Sequence, residues 1–459
     1  MEIRYVCQPS TWLVRRAGNS AESSGSKQLL LGQRLHVDVA TASNGWIAAQ
    51  TVPKEDGSFR EGFVREDRIC ERQQLKVFYT DVGQGDAVLI EAEGVIVIID
   101  GGPSRGFADQ LHRRLSALRR ADQAVGVLPR DSLHIDAVII SHFDKDHYVG
   151  LTRVLNNSDY SFGTIYHNGL PRYGDGAGKD LDLGDFSASP HGGKAISTDL
   201  RGLETAQSMI DDNVLLTPSG NLNMFGKFLQ AALDAKAQGR LDGFELLVSR
   251  DPSDPNEHLS NLGNELKFEV LGPITTTMNG RIRLQAFPDP HSGSSTPSES
   301  HTINGNSIVL RMTYGQNTFL FGGDLNQPSQ RYLHDRYGSF ARFSAEVNKA
   351  CHHGSSDFDV EYLKAIRPLT TVFSSGDNGN YDHPMPDAMG AAARHSDGDY
   401  PLIFSTELAR ETGSRGIHFG HINARSNGDV TVMAQKRESP SSKKAWHSFP
   451  LPYQGPFHH

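Results

Sequence analysis

The stretch Ile135-Asp136-Ala137-Val138-Ile139-Ile140-Ser141-His142-Phe143-Asp144-Lys145-Asp146-His147 decides how the chain is read. Its first half is a short apolar run rich in β-branched residues, as expected of a strand covered on both faces. Its second half sets His142, Asp144, Asp146 and His147 directly behind that strand. Imidazole nitrogens and carboxylate oxygens suit Zn²⁺, and a carboxylate-rich set also suits Mn²⁺. Donors this dense cannot all reach one ion from a regular strand. A strand-to-helix loop can divide them between two ions held about 3.5–4 Å apart. Taken alone, the stretch also reads as a polar loop capping a helix, with Asp146 as the cap.

Working outward, three further clusters follow apolar strand-like runs. Phe319-Leu320-Phe321 ends in Gly322-Gly323-Asp324, where glycines let the backbone pass close to an ion and a lone carboxylate can bridge two. Val347–Ala350 ends in Cys351-His352-His353-Gly354-Ser355-Ser356-Asp357, and Thr371–Ser374 leads to Ser375-Gly376-Asp377-Asn378 and then Tyr381-Asp382-His383-Pro384. Adjacent histidines point in different directions, so one can ligate while the other serves substrate or an outer carboxylate. Upstream, Lys76–Thr80, Ala87–Glu91 and Gly94–Asp100 read as strands, with Gly83-Gln84-Gly85-Asp86 as a turn. Phe107, Leu111, Leu115 and Leu118 form one stripe of a helix between them and the next strand. In α/β sheets, sites gather where strands end, so the clusters support one another.

The ordered set Asp81-Val82-Gly83-Gln84-Gly85-Asp86-Ala87, Ile98-Ile99-Asp100-Gly101-Gly102, Ser141-His142 to His147, Asn306-Ser307-Ile308-Val309-Leu310, Gly323-Asp324, His352-His353-Gly354-Ser355 and Tyr381-Asp382-His383-Pro384 resembles the metallo-β-lactamase fold. Within that superfamily it is most similar to the hydrolase domain of the competence protein ComEC and its soluble relatives. The resemblance covers roughly residues 75 to 435, apart from much of a long segment in the middle. It implies an αββα sandwich and two divalent ions, zinc or manganese. His142 and Asp144 would serve the first ion, Asp146 and His147 the second, Asp324 would bridge, and His352 or His353 would complete the second site. His301 is the candidate for a further first-site histidine, with His291 and His258 as weaker ones. Asp100 would support the ligands from behind, Asp86 beside it, and Asp146, His353 and His383 would act on substrate, His383 near its phosphate. The chain departs from the pattern at Asp144, where the family usually has histidine, and a harder ligand favours Mn²⁺ or Mg²⁺. It departs again at Cys351, where the family has proline. A thiol there could bind metal or oxidise, or simply pack as a small side chain.

Composition sets the frame. The chain has 459 residues, a formal charge of −9 and 37% hydrophobic residues, enough for a sizeable core and too acidic for a bulk-basic nucleic-acid coat. The longest purely aliphatic run is Val95–Ile99, far short of a membrane span, and neither a signal peptide nor a disulfide framework is expected from the start of the chain or from Cys7, Cys70 and Cys351. A cytoplasmic protein without a membrane partner is the expectation.

Residues 1–72 read as a small all-β module. Leu31-Gly32, Val37-Asp38-Val39, Gly45-Trp46-Ile47 and Glu61-Gly62-Phe63-Val64 resemble bacterial SH3-like domains, the other reading being a sheet extension of the main domain. Residues 73–435 read as the hydrolase domain, with an insertion at about 156–300 holding helical pieces near Asp199–Asp211 and Met224–Gln238. Strand signals at Ile417–Ile422 and Val430–Ala434 close the domain, and residues 436–459 read as a polar tail. The implied activity is phosphodiester hydrolysis, with DNA as substrate and local cations among Arg311, Arg331, Arg336, Arg342 and Lys349 as guides. Two other functions stay open at this level. One is a small-molecule hydrolase of phosphodiesterase or lactonase type, since fold does not fix substrate. The other is a metal-bearing effector subunit active only with a protein partner docked on the SH3-like module.

Overall fold

The computed structural model describes the chain except residues 21–22, 55, 127–132, 175–176, 180–181, 251–257, 260–261, 377–380, 407–421, 438–440, 442 and 455–459. Asp377, Asn378, most of the Ile417–Ile422 run and the terminal His458-His459 pair therefore lie outside the described residues, as does the side chain of His258.

Two large sheets face each other. One has nine strands, in the spatial order Leu241–Leu246, Tyr160–His167, Leu133–Ile139, Val95–Ile99, Val88–Ala92, Leu75–Tyr79, Ile422–Ser426, Thr431–Lys436 and Trp446–Pro450. The other has seven, running from His258–Leu259 through Leu266–Gly272, Val309–Tyr314, Asn317–Phe321, Val347–Lys349 and Thr370–Phe373 to Leu402–Ser405. Strand Val95–Ile99 shows why its sequence is continuously apolar. Val97 and Ile99 point into the layer between the sheets with Ile90, Phe268, Leu310 and Phe321, while Ile98 points the other way, toward Phe107 and Leu111. Both faces of the strand are covered, so no position wants a polar residue.

Helices cover the outer faces. Arg105–Gln123 and Lys145–Leu155 pack on the nine-stranded sheet with Leu203–Asp211 and Met224–Ala237, and Gln327–Tyr337 and Val360–Ile366 pack on the seven-stranded one. The first of these begins where Ser104 accepts a hydrogen bond from the Gly106 amide, and it buries Phe107, Leu111 and Leu115 as their spacing predicts. The order helix, sheet, sheet, helix is the αββα sandwich.

The N-terminal strands Glu61–Arg65, Trp46–Thr51, Arg34–Ser43, Glu2–Val6 and Ile69–Cys70 form a separate sheet in that order, with a core of Val6, Leu35, Val37, Ile47 and Val64. Arg34 reaches Asp122 on the helix Arg105–Gln123 at 2.7 Å, and Arg425 donates to the Leu31 carbonyl at 2.7 Å. These contacts tie the small sheet to the large one.

Two expectations need correction. The segment from about 156 to 300 is not wholly an insertion: Tyr160–His167 and Leu241–Leu246 pair in parallel within the nine-stranded sheet, and Leu266–Gly272 joins the seven-stranded one. What is added to the two large sheets is the four-stranded sheet Phe186–Ala188, Lys194–Ser197, Arg281–Ala286 and Thr275–Met278. The polar tail likewise contains a strand, Trp446–Pro450, paired with Thr431–Lys436 at the sheet edge. None of that strand's residues is fully buried, so it carries little apolar signal.

Candidate metal centre

Four loops that leave neighbouring strands converge. Strand Val95–Ile99 ends in Asp100, which sits at φ +58° and is buried. Its carboxylate accepts from the Ser141 amide at 2.8 Å, from the Ser141 hydroxyl at 2.7 Å and from His147 Nδ1 at 2.9 Å. Burial pushes the Asp100 carboxyl up and the His147 contact opposes this. The hydrogen bond fixes the His147 ring so that Nε2 faces inward, 3.3 Å from Asp324 Oδ2 and 3.9 Å from Asp146 Oδ1.

Asp324 follows Gly322-Gly323. A side chain at Gly323, φ +53°, would bring its Cβ 2.7 Å from the Ser307 Cβ and 3.0 Å from that of Ser141, so only glycine lets this strand end come so close. Gly85 plays the matching part opposite: its Cβ would meet the Asp146 carbonyl at 2.4 Å.

His352 and His353 both hold left-handed backbone, at φ +48° and +55°. Such strain persists where the surrounding structure enforces it and gathers at functional sites. It aims the two rings differently. His353 Nδ1 donates to the Ser374 carbonyl at 2.9 Å, which leaves Nε2 3.2 Å from Asp324 Oδ2 and 3.3 Å from Asp146 Oδ2. His352 Nε2 stays 4.0 Å from Asp324 and 3.4 Å from the Asn304 amide, on the rim.

The donors fall into tight groups: His142, His147 and Asp324; Asp146, His147 and His353; Asp86, Asp324 and His353; and Asp86, Asp100 and His147. Within them His142 Nε2, His147 Nε2, His353 Nε2 and Asp324 Oδ1 are buried without a hydrogen-bond partner. Leaving a buried polar atom unpaired costs about 1–3 kcal/mol. Four such atoms, all good ligands for a borderline or hard divalent cation and all facing one space, fit bound metal. Burial drives His142 down to about 3, so its ring stays neutral and available as a ligand. Burial also opposes charge on His147 and His353, but the surrounding Asp324, Asp100, Asp86 and Asp146 carboxylates prevail and hold both well above the ordinary histidine value.

The structure redistributes several expected roles. His353, not His352, enters the donor groups, because the left-handed turn directs only the second ring inward. Asp144 stands at the N-cap position of Lys145–Leu155 without capping it and lines the cavity instead, so it and not Asp146 occupies the cap position. It belongs to none of the tight groups among the described residues. His301 turns to Asp357 at 3.4 Å, and His291 lies exposed in a turn on Asp289. Asp86 is closer to the centre than expected: it joins two of the donor groups and forms a buried ion pair with Lys349. Lys349 is thereby spent internally. Arg331 pairs with Asp359, Arg342 with Glu269, Arg311 with the Ser344 carbonyl and Arg336 with His191, and none of them lines the cavity. The Cys351 thiol is pushed up to about 12 by burial and packs against Gly322, as a small core side chain does.

Above the donors opens a cavity of about 780 Å³, whose wall includes Asp144, Arg172, Asn304, His352, Tyr381 and His383. Arg172 was not anticipated; it comes from the segment expected as an insertion, stands alone in sequence and is held by Glu299 at 2.6 Å. His383 Nδ1 lies 3.2 Å from the Gln84 amide nitrogen, and its ring stacks on Tyr381, which is 61% exposed. Burial, with His353 and His352 nearby, lowers His383 to about 4.

Residues 80–207 match the model of the Metallo-beta-lactamase superfamily. Two curated relatives match part of the chain. "ComE operon protein 3" of Bacillus subtilis (strain 168) is 29% identical over 133 residues, which is 29% of this chain and 14% of the relative. "Competence protein ComA" of Neisseria gonorrhoeae is 33% identical over 102 residues, 22% of this chain and again 14% of the relative. The matched segment is thus a small part of either protein. Among solved structures, YhfI of Bacillus subtilis is similar over 72% of this chain and 96% of its own, at 11% identity and a TM-score of 0.32. A diphosphatase of the PhnP family is similar over 72% and 94%, at 10% identity and the same TM-score of 0.32. No helix among the described residues is long and apolar enough to cross a membrane.

Proposed function

We propose that the chain is a metal-dependent phosphodiesterase that cleaves DNA, using two divalent ions, zinc or manganese. His142, His147 and Asp324 would hold one ion, and Asp146, His353 and Asp324 the other. Bound there, the ions would supply Lewis acidity, which makes water a nucleophile near neutral pH and offsets phosphoryl charge. The single observation behind this reading is the group of buried, partnerless ligand atoms at the floor of a cavity walled by His383, Tyr381 and Arg172.

The chain's own residues do the positioning. Asp100 and the Ser374 carbonyl hold the Nδ1 protons of His147 and His353, which keeps both Nε2 atoms as ligands. The Gln84 amide donates to His383 Nδ1, so the His383 proton sits on Nε2 and can donate to a phosphoryl oxygen. Arg172 is a cation in reach of a second phosphate of a strand, and the exposed Tyr381 ring offers a face to a base. The resemblance of residues 75–435 to the ComEC hydrolase domain is what favours DNA over other phosphodiesters. The five-stranded N-terminal sheet, with its own core, is read as an SH3-like module that docks a protein partner.

The test is cleavage of circular plasmid and of circular single-stranded DNA by the full chain with Mn²⁺, Zn²⁺, Mg²⁺ or EDTA, beside Asp146→Ala/His147→Ala. Metal-dependent nicking that the double variant loses is expected. A metal-loaded protein that leaves both circles intact but hydrolyses bis(p-nitrophenyl) phosphate or a lactone would move the site to small molecules.

A further inference from the structure

On the same sheet, away from the donor cluster, charge of the opposite sign is buried. Lys76 and Arg425 are direct cross-strand partners, and Glu91 is the partner of Lys76 on the other side. All three side chains therefore share the face toward the helix Arg105–Gln123, which adds Arg114. Glu91, fully buried, takes Lys76 at 2.8 Å and both Nε and Nη2 of Arg114 at 2.6 and 2.7 Å. Arg425 is left with neutral acceptors, the Asn423 side chain at 2.6 Å and the Leu31 carbonyl at 2.7 Å. Three cations thus surround one carboxylate in a place where unpaired charge is costly. Burial drives Lys76 down to about 8 and Arg425 down to about 9.

These cations form the floor of a cavity of about 330 Å³ between the N-terminal sheet and the main domain. Lys27, Lys54 and Lys443 stand at its rim, and no carboxylate lines it among the described residues. Arg34 is there too, paired with Asp122, with its Nε buried and partnerless. Arg114 and Trp446 also line a second, adjoining cavity of about 430 Å³, whose wall is mostly apolar, with Phe78, Leu89, Phe107, Leu111 and Ile422 beside Thr80, Gln110 and Arg113. The Arg114 guanidinium lies over the Phe78 ring at 4.9 Å, at the junction of the two.

We infer that this composite cavity is a second, non-catalytic binding site for a phosphorylated ligand with a flat ring, of the mononucleotide class. The phosphate takes the cationic half, where an anion offsets the surplus charge and accepts from Arg425, Lys27 and Lys54. The ring takes the apolar half against Trp446 and Phe78. The size fits a small molecule, since ligand sites commonly span about 300–1,000 Å³. Because the cationic half is built from both the N-terminal sheet and the nine-stranded sheet, an occupant would bridge them. The inference is independent of the nuclease reading.

The experiment measures binding to the full-length Asp146→Ala/His147→Ala variant in EDTA, so that the metal centre takes no phosphate. The probes are AMP, inorganic phosphate and adenosine, followed by calorimetry and by tryptophan fluorescence. Saturable AMP binding is expected, with adenosine at least tenfold weaker. Adding Lys27→Ala/Lys54→Ala, both at the rim, should weaken AMP and phosphate at least tenfold. Trp446→Ala should weaken AMP and leave phosphate unchanged. Absence of AMP binding at millimolar concentration overturns the inference, as does AMP binding indifferent to the lysine pair. Binding of a single-stranded oligonucleotide but not AMP, lost with the same lysines, would give the cleft to a polymer and overturn it as well.

Discussion

Where strands Val95–Ile99 and Leu133–Ile139 end, carboxylates crowd around imidazoles whose inward nitrogens close no hydrogen bond. Around Lys76 and Arg425 on the same sheet, cations crowd around one carboxylate that is fully hydrogen-bonded. Both are buried and polar, yet they are finished to different degrees. Glu91 is a completed hub, so the fold depends on it. The His142, His147, His353 and Asp324 atoms are an uncompleted set, so the fold tolerates their removal and the chemistry does not. A buried polar group thus reports its role by whether its hydrogen bonds are closed.

The comparison breaks first at the metal centre. Asp146→Ala/His147→Ala should remove bound metal and lower hydrolysis by about a thousandfold or more, since it deletes several kcal/mol of stabilisation. The thermal midpoint measured in EDTA should stay near that of the parent. A large drop in that midpoint would mean the cluster is as structural as Glu91.

Next comes Glu91→Gln, which leaves Lys76, Arg114 and Arg425 without their anion. A loss of about 3–5 kcal/mol is expected in urea denaturation. The pH course follows from the same carboxylate. Burial alone would raise Glu91, but Arg114 and Lys76 prevail and hold it far below the usual carboxylate range. Its contribution is present above the unfolded value of about 4.3 and fades as pH falls below it toward the folded value. The parent should therefore lose stability on acidification below about pH 4.3, and Glu91→Gln should show a shallower loss over the same range.

Asp100→Asn is intermediate. It keeps the shape and removes the charge that orients His147, so metal affinity measured by chelator competition should weaken about 10–100-fold. The smallest effect belongs to Tyr381→Ala. Because the ring is largely exposed, a cost of about 1 kcal/mol is expected, read as a several-fold rise in KM on single-stranded DNA with kcat retained. A fall in kcat instead would place Tyr381 in the positioning of His383.

The strands that bury both faces were legible in the sequence, as Gly94–Asp100 shows, because an unbroken apolar run of strand length belongs in a layer covered on both sides. So was the gathering of His142, Asp146, His147 and Asp324, which stand directly behind such runs. The choice between His352 and His353 was not legible: it turns on two left-handed residues that only the packing around Gly354 and Ser374 enforces. Arg172 carries no local pattern at all. Tyr160–His167 was absorbed into the expected insertion because Ser161, Gly163 and Thr164 break its apolar run, although the strand pairs along nearly its whole length. The surplus cations at Lys76 and Arg425 were invisible for the same kind of reason. They are almost 350 positions apart, and only sheet register makes them neighbours.

That register has a consequence for how the molecule is made. Strand Leu75–Tyr79 acquires its second neighbour only when Ile422–Ser426 has been synthesised. Until then the ribosome-bound chain presents an open sheet edge along Leu75–Tyr79, with the ligand-bearing loops already synthesised. Pairings so distant in sequence form slowly, and exposed edges invite association with other chains. Translation speed and chaperone access over the second half of the message should therefore govern the yield of native protein more strongly than the stability of the finished fold.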